Sequence, residues 1–440
     1  MGMMSPGSIA IIPGAEEKRR NRDVQYLFRQ DSDFFYLTGF SEPHALLVLA
    51  PGRAQGQEIL FCADRNPRLE LYDGERMGPE RACQMLGVDD AFPFADMEDI
   101  LPGLLEASER HYINLGEHPR FDHSLLGWVA NIRQRESGGA QPPGEFIELK
   151  HLLHELRLYK SKKEISLMKK AAEITVGGHL RAMRKVAPGL NEGQLEAELT
   201  YAFMREGARS PAYPSIVGGG ENACVLHYVA NDQPLIDGEL VLIDAGCEFQ
   251  HYAADLTRTL PINGQFSQAQ RDIYDVVLAA NEAAIARCQV GKRFNEPHEQ
   301  AVLIMVQGLI ELGLIEGEVE SVITQGSYRH LIPHNTSHWL GIDVHDVGDY
   351  RIAGAWREFE AGMVLTIEPG IYIPRVADND HIDSKYLGIG VRIEDDVLIT
   401  DAGPEVLTDG VPKQATDIEA YINEARANQA RANETRSGTT

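Results

Sequence analysis

The chain has little of what marks a secreted, membrane-bound or nucleic-acid-binding protein. Its five cysteines, Cys62, Cys83, Cys224, Cys247 and Cys288, are scattered with no C-x-x-C spacing. An odd count without a framework excludes a disulfide scaffold and predicts reduced thiols in the cytoplasm. No apolar run approaches the ~20 residues that span a bilayer, so no membrane association is expected. At the N-terminus a short apolar stretch precedes the basic cluster Lys18–Arg20, the reverse of a secretory signal. Basic residues are scarce as well. Against 66 Asp and Glu stand 41 Lys and Arg, a net charge of -25, which argues against any phosphate-backbone partner and so against nucleic acid.

What is present is ordinary in bulk and specific in arrangement. Hydrophobic content of 43% over 440 residues suits two domains, each with its own core. Residues 8–63 read as β-rich, with SIAIIP, DFFYLTGF, ALLVLAP and QEILFCA separated by Pro/Gly turns. Residues 80–135 alternate helical and strand patterns, which predicts an α/β domain over 1–159. A Gly/Pro-rich break from Ser137 to Glu145 and the helical run HLLHELRLYKS place the boundary near Tyr159.

The second domain, 160–424, repeats its own layout. Ser161-x-x-Glu164 is a capping box opening a helix to about Val186, and Asn191-x-x-Gln194 opens another before a β-rich stretch to Pro261. Ser267-x-x-Gln270 then caps a helix to about Arg287. Asn295 is expected to cap one through Leu312, and strands follow over 363–400. Helix, helix, strands, twice over, predicts two similar α+β halves. Residues 425–440 are polar and repetitive and are expected to be disordered.

Chemistry concentrates in four segments. In ELVLIDAGCEFQHYAADLTRTLPI, Asp244 ends an apolar strand and Asp255 interrupts a second. A hairpin turning near Phe249 and Gln250 would set the two acids opposite each other, with Cβ atoms about 5 Å apart. Like charges so placed are destabilising unless a cation sits between them; the alternative is two acids in solvated turns. HNTSHWLGIDVHDVG carries His334, His338 and His345, but no Glu follows the first His, so the H-E-x-x-H zinc motif is absent. Spacing does not choose among these histidines. Glu368 ends the apolar run MVLTI, and Glu394 shares a strand face with Arg392, where a plain ion pair would also account for it. Four acids and a histidine, with no cysteine, form an oxygen-rich set suited to Mn, Mg, Fe or Co. Two dications balance four carboxylates, and a pair about 3.5–4 Å apart generates hydroxide at neutral pH. Hydrolysis is the reaction such a set predicts.

These segments, together with FRQDSDFFYLTGFSEP, HELRLYKS and GENACVLHY, resemble the bacterial aminopeptidase P group of pita-bread (creatinase/aminopeptidase-like) metallopeptidases, in order from about Gln25 to Leu407. The resemblance implies an α/β N-terminal domain and an α+β pita-bread catalytic domain. It implies cleavage of an N-terminal residue from a penultimate proline by a hydroxide held between two divalent metals, Mn(II) in particular. It implies metal ligands at Asp244, Asp255, His338, Glu368 and Glu394, with Glu368 also passing the proton. His227 and His345 would hold the scissile carbonyl, and His334, Tyr372 and Arg392 would line the proline pocket. A homotetramer, or a dimer, is implied too, with Asp23 reaching a neighbour's site and Tyr72 standing where many relatives have tryptophan. Two other readings are prolidase, restricted to Xaa-Pro dipeptides, and a non-enzymatic binding scaffold.

Overall fold

The structure, a computed structural model, describes residues 1–106, 108–376, 379 and 381–437. The chain forms two compact units, Met1–Leu156 and Arg157–Thr440, divided slightly before the boundary expected near Tyr159.

The first unit is built on a mixed six-stranded sheet. Its strands are β1 (Ser8–Pro13), β2 (Leu46–Leu49), β3 (Glu58–Cys62), β4 (Asp90–Pro93), β5 (Arg110–Tyr112) and β6 (Glu145–Ile147), in the order β4-β3-β2-β1-β5-β6. The two-residue period of a strand feeds two apolar layers. Ile9 and Ile11 pack on one side with Leu101, Leu105, Leu125 and Val129, while Ala10 and Ile12 pack on the other with Phe34 and Phe40. DFFYLTGF, expected as a strand, is instead a helix over Ser32–Thr38. Its ends decide this. Asp31 caps the start by accepting from Phe34 N–H, and Gly39 closes it at φ 64°, so capping outweighs the β-propensity of three aromatics. Asp23 lies exposed in the turn of a small hairpin formed by Arg19–Asn21 and Val24–Gln25.

The second unit opens with α1 (Lys162–Lys185) and α2 (Glu192–Arg205), both with complete capping boxes. Strands β7 (Ile216–Gly219), β8 (Leu240–Asp244), β9 (Cys247–Phe249), β10 (Tyr252–Ala253) and β11 (Thr257–Pro261) follow. The second round brings α3 (Gln268–Ile285), again boxed, and α4 (Asn295–Glu311). It continues with β12 (Val364–Ile367), β13 (Gly370–Ile373), β14 (Ile389–Arg392), β15 (Asp395–Thr400) and β16 (Gly403–Val406). Asn295 is not the cap expected of it: Phe294 holds that position, and the Asn295 amide donates along the helix to Glu299 at 2.6 Å. One apolar core joins Ala172, Leu199, Ile243, Tyr274, Val306, Leu365 and Val391 across both rounds.

The polar tail differs from expectation. Helix α5 runs Ala415–Ser437, and its start is anchored by buried Ala415, Ile418 and Ile422. Residues 438–440 lie outside the described residues. No described helix is long and apolar enough to cross a membrane.

Candidate metal centre

Strands β8 and β11 pair antiparallel with Asp244 opposite Thr257, not Asp255. The reason is the turn. Gln250 and His251 both take positive φ, 49° and 70°, as a two-residue hairpin loop requires. This shifts the register from the one expected and sets Asp255 beside Gly246, where a Cβ would strike the Ala254 carbonyl. Asp255 is thus the diagonal, same-face neighbour of Asp244. The Tyr213 hydroxyl joins the two acids, 2.6 Å from Asp244 Oδ1 and also bonded to Asp255 Oδ1.

The histidine segment runs alongside β12. Thr366 N–H donates to the His338 carbonyl at 2.9 Å and Glu368 N–H to the Thr336 carbonyl at 2.8 Å, which places both side chains at the end of the strand. His338 Nδ1 lies 2.9 Å from the Trp339 carbonyl, so Nε2 faces Glu368 Oε1 at 3.4 Å and Asp255 Oδ2 at 3.6 Å. Glu394 enters from the end of β14. Its backbone carbonyl accepts from Arg258 at 2.6 Å, and its Oε2 accepts from the Thr257 hydroxyl at 2.7 Å. Donor atoms of Asp255, His338 and Glu394 all lie within 4.8 Å of one another.

Burial and mutual repulsion dominate the electrostatics. Burial raises Glu394 well above the usual carboxylate range, and Asp255, Glu368 and Asp244 add to it. Glu368 is pushed up to about 7 by burial, against the pull of His338 and Arg392, with Asp255 and Asp244 adding to the rise. Burial likewise raises Asp244, although Arg392 opposes it. His338 is raised as well, but for it the rise favours the charged form. Burial works against its charge, yet the bond to Asp255 and the Glu368 carboxylate lift it to about 9. The cluster therefore concentrates negative potential on one point.

Of the remaining expected residues, His227, His334, His345 and Arg392 line a pocket of about 970 Å³ around that point, whereas Tyr372 is buried and is not among its lining residues. Arg392 donates to Asp244 at 2.6 Å and to the Tyr372 hydroxyl at 2.7 Å, and Tyr372 lies 2.8 Å from His334 Nε2. Since His334 Nδ1 faces the Asn335 carbonyl at 2.7 Å, Nε2 is the acceptor in this chain. Burial, with Arg392 nearby, lowers His334 to about 4, so it stays neutral. The His345 ring meets His338 edge-on at 4.3 Å, and His227 lines the same pocket. Sequence reasoning missed Tyr213, set between Pro211 and Pro214 with no local sign of its role. It also missed the wall of Phe294, His298, Tyr350 and Trp356.

Residues 166–401 match the model of metallopeptidase family M24, and residues 1–113 match the aminopeptidase P N-terminal domain. The chain belongs to metallopeptidase family M24. The Xaa-Pro aminopeptidase of Haemophilus influenzae is 44% identical over 420 residues, 96% of this chain and 94% of that one. The Xaa-Pro aminopeptidase of Escherichia coli is 44% identical over 424 residues, 96% of this chain and 95% of its own. Neither is named a prolidase. The solved structure of a Pseudomonas aeruginosa aminopeptidase superposes with TM-score 0.95 at 52% identity, covering 97% and 96% of the two chains. This M24 metallopeptidase is accordingly a hydrolase of the aminopeptidase P type, with an α/β N-terminal domain before a pita-bread catalytic domain. The binding-scaffold reading falls with that membership.

A metallopeptidase of this family works with divalent ions, and the residues fit them. Four carboxylates and one imidazole converge, and no cysteine is among the described residues lining the pocket. The acids gather positive charge at the place where they converge, holding a proton on His338. Oxygen donors with a single nitrogen suit hard or intermediate dications.

Proposed function

We propose that this metallopeptidase removes the N-terminal residue from peptides whose second residue is proline, using two Mn(II) ions held by Asp244, Asp255, His338, Glu368 and Glu394. The observation that carries the reading is the convergence of Asp255, His338 and Glu394 within 4.8 Å in a pocket that His227, His334 and His345 also line. When bound, a pair of such ions supplies an activated water at neutral pH and polarises the carbonyl. The chain's own groups do the rest. Glu368, whose Oε1 lies 3.4 Å from His338 Nε2 in the cluster, takes the proton of the attacking water and delivers it to the proline nitrogen. His227 and His345 hold the scissile carbonyl oxygen as negative charge develops there. His334 and Arg392, held by the buried Tyr372 hydroxyl between them, line the slot for the proline ring, whose tertiary amide has no N–H to be satisfied.

The same reading makes the protein a cytoplasmic homotetramer, or a dimer, with Asp23 serving a neighbour's site. Five free cysteines support the compartment. Leu71 and Tyr72, 81% and 79% exposed in the first unit, are apolar surface that a partner copy would cover.

The test is hydrolysis of an Xaa-Pro-Pro tripeptide against the matching Xaa-Pro dipeptide by Mn(II)-loaded protein. The tripeptide should be cleaved after its first residue; turnover of the dipeptide alone would make the enzyme a prolidase. Light scattering of the purified protein tests the assembly, where a monomer would remove the neighbour's role for Asp23.

A further inference from the structure

Glu192, at the start of α2, is a carboxylate with 0% exposure, and it lies outside the cluster described above. The hydrogen bonds it makes are to neutral donors, all from one loop. Oε1 accepts from Gly219 N–H at 2.8 Å and from the Asn222 side-chain amide at 3.0 Å. Oε2 accepts from the Tyr228 hydroxyl at 2.8 Å and from Gln233 N–H at 2.9 Å. The Glu192 N–H also donates to the Gln233 carbonyl at 3.0 Å. One side chain thus ties the beginning, middle and end of residues 219–233. His227 stands on this loop, next to Tyr228, and lines the pocket.

Burying an ionised carboxylate is costly unless its lone pairs are filled, and packing alone would be served as well by an apolar side chain. Four donors aimed at two oxygens answer a different need, a fixed loop shape. Burial, and then the bond to Glu192, push the Tyr228 phenol up to about 12, so it remains a donor at neutral pH. We propose that Glu192 is a positioning residue for His227: it sets the conformation of loop 219–233 and thereby where the imidazole stands relative to the scissile carbonyl. This rests on the role given to His227 above.

Glutamine is the informative replacement. Its oxygen can still serve Gly219 and Asn222, and the Tyr228 hydroxyl can rotate to accept from the new amide. The Gln233 N–H then faces an N–H and loses its partner. In the metal-loaded full-length enzyme on a proline-second tripeptide, Glu192→Gln should lower kcat about tenfold with KM changed less than about twofold. Tyr228→Phe, which removes a single bond, should lower kcat by a smaller factor. In a His227→Ala background the Glu192→Gln loss should shrink to less than about twofold, because the residue acts through that imidazole. Amide hydrogen exchange over 219–233 should quicken in Glu192→Gln while α1 and α3 keep wild-type protection.

Full kcat in Glu192→Gln overturns the proposal, as does an undiminished loss in the His227→Ala background. Should Glu192→Gln fail to fold, Tyr228→Phe in the same two backgrounds decides the matter by the same criterion. An unimpaired His227→Ala single variant would instead remove the role of His227, and the inference with it.

Discussion

Arg392 holds Asp244 by the oxygen that Tyr213 leaves free: Nη2 meets Oδ2 at 2.6 Å, while the Tyr213 hydroxyl takes Oδ1 at 2.6 Å. Both side chains are buried, and the other arm of Arg392 reaches Tyr372. One guanidinium therefore couples an acid of the metal cluster to the His334 side of the pocket. Removing it strands a carboxylate in a cluster that is already strongly negative. Arg392→Ala should cost on the order of 3 kcal/mol of stability, as expected for breaking a buried pair. Arg392→Lys, whose single ammonium cannot span both partners, should recover only part. Urea denaturation checks both; a variant as stable as the parent would refute the coupling.

Glu368→Ala should fold and lose turnover. The side chain makes no ion pair to a lysine or arginine shown in the structure, and its burial already strains its charge, so the substitution removes repulsion along with function. A lost general base costs about 10²–10⁴-fold in kcat. Circular dichroism should match the parent while hydrolysis of the tripeptide falls by at least the lower figure.

Chelation should abolish activity and lower the melting temperature together, because a cation bound among Asp244, Asp255, Glu368 and Glu394 relieves repulsion that the folded state must otherwise carry. Restoring a divalent ion at 100 times its Kd should return about 2.7 kcal/mol. Mn(II) should restore more activity than Zn(II) or Mg(II). A melting temperature indifferent to chelator would contradict the metal assignment.

His179 on α1 gives a pH-dependent term in stability. Buried against the chain after β8, its Nε2–H donates to the Ala245 carbonyl at 2.9 Å, and burial lowers its pKa from 6.5 to about 4. Between those values the unfolded chain binds the proton and the folded one does not, so this contribution is complete above 6.5 and is lost as pH falls toward 4. The loss is on the order of 3 kcal/mol. His179→Gln keeps a donor without the titration. Its stability should fall less than the parent's over that window, and parallel curves would argue against the assignment.

Much of the catalytic unit's helical frame was legible because its signals are local. The boxes at Ser161, Asn191 and Ser267 each lie within four residues, and each forms as read. The misreadings have local causes too. The aromatic residues of DFFYLTGF carry β-propensity, while the helix depends on the Asp31 and Gly39 caps at its ends. The polar tail offered no strong apolar stripe, although buried Ile418 and Ile422 hold the start of α5. The β8–β11 register depended on which two residues made the turn, and Gln250-His251 carries neither the glycine nor the Asn or Asp that marks such a loop.

The sequence by itself determined where acids interrupt apolar strands, at Asp244, Asp255, Glu368 and Glu394, because a charge at the end of a buried run is costly without a counterion. That was enough to expect a cation. Only the tertiary structure decided how these acids meet. Asp255 is diagonal to Asp244, not opposite it; His338 turns Nε2 toward Asp255 and Glu368; Thr257 tethers Glu394 across 137 residues of chain. Tyr213, Arg392 and Glu192 gain their places the same way. Hydrogen bonds between distant segments depend on the packing of whole strands and helices, which no local pattern encodes.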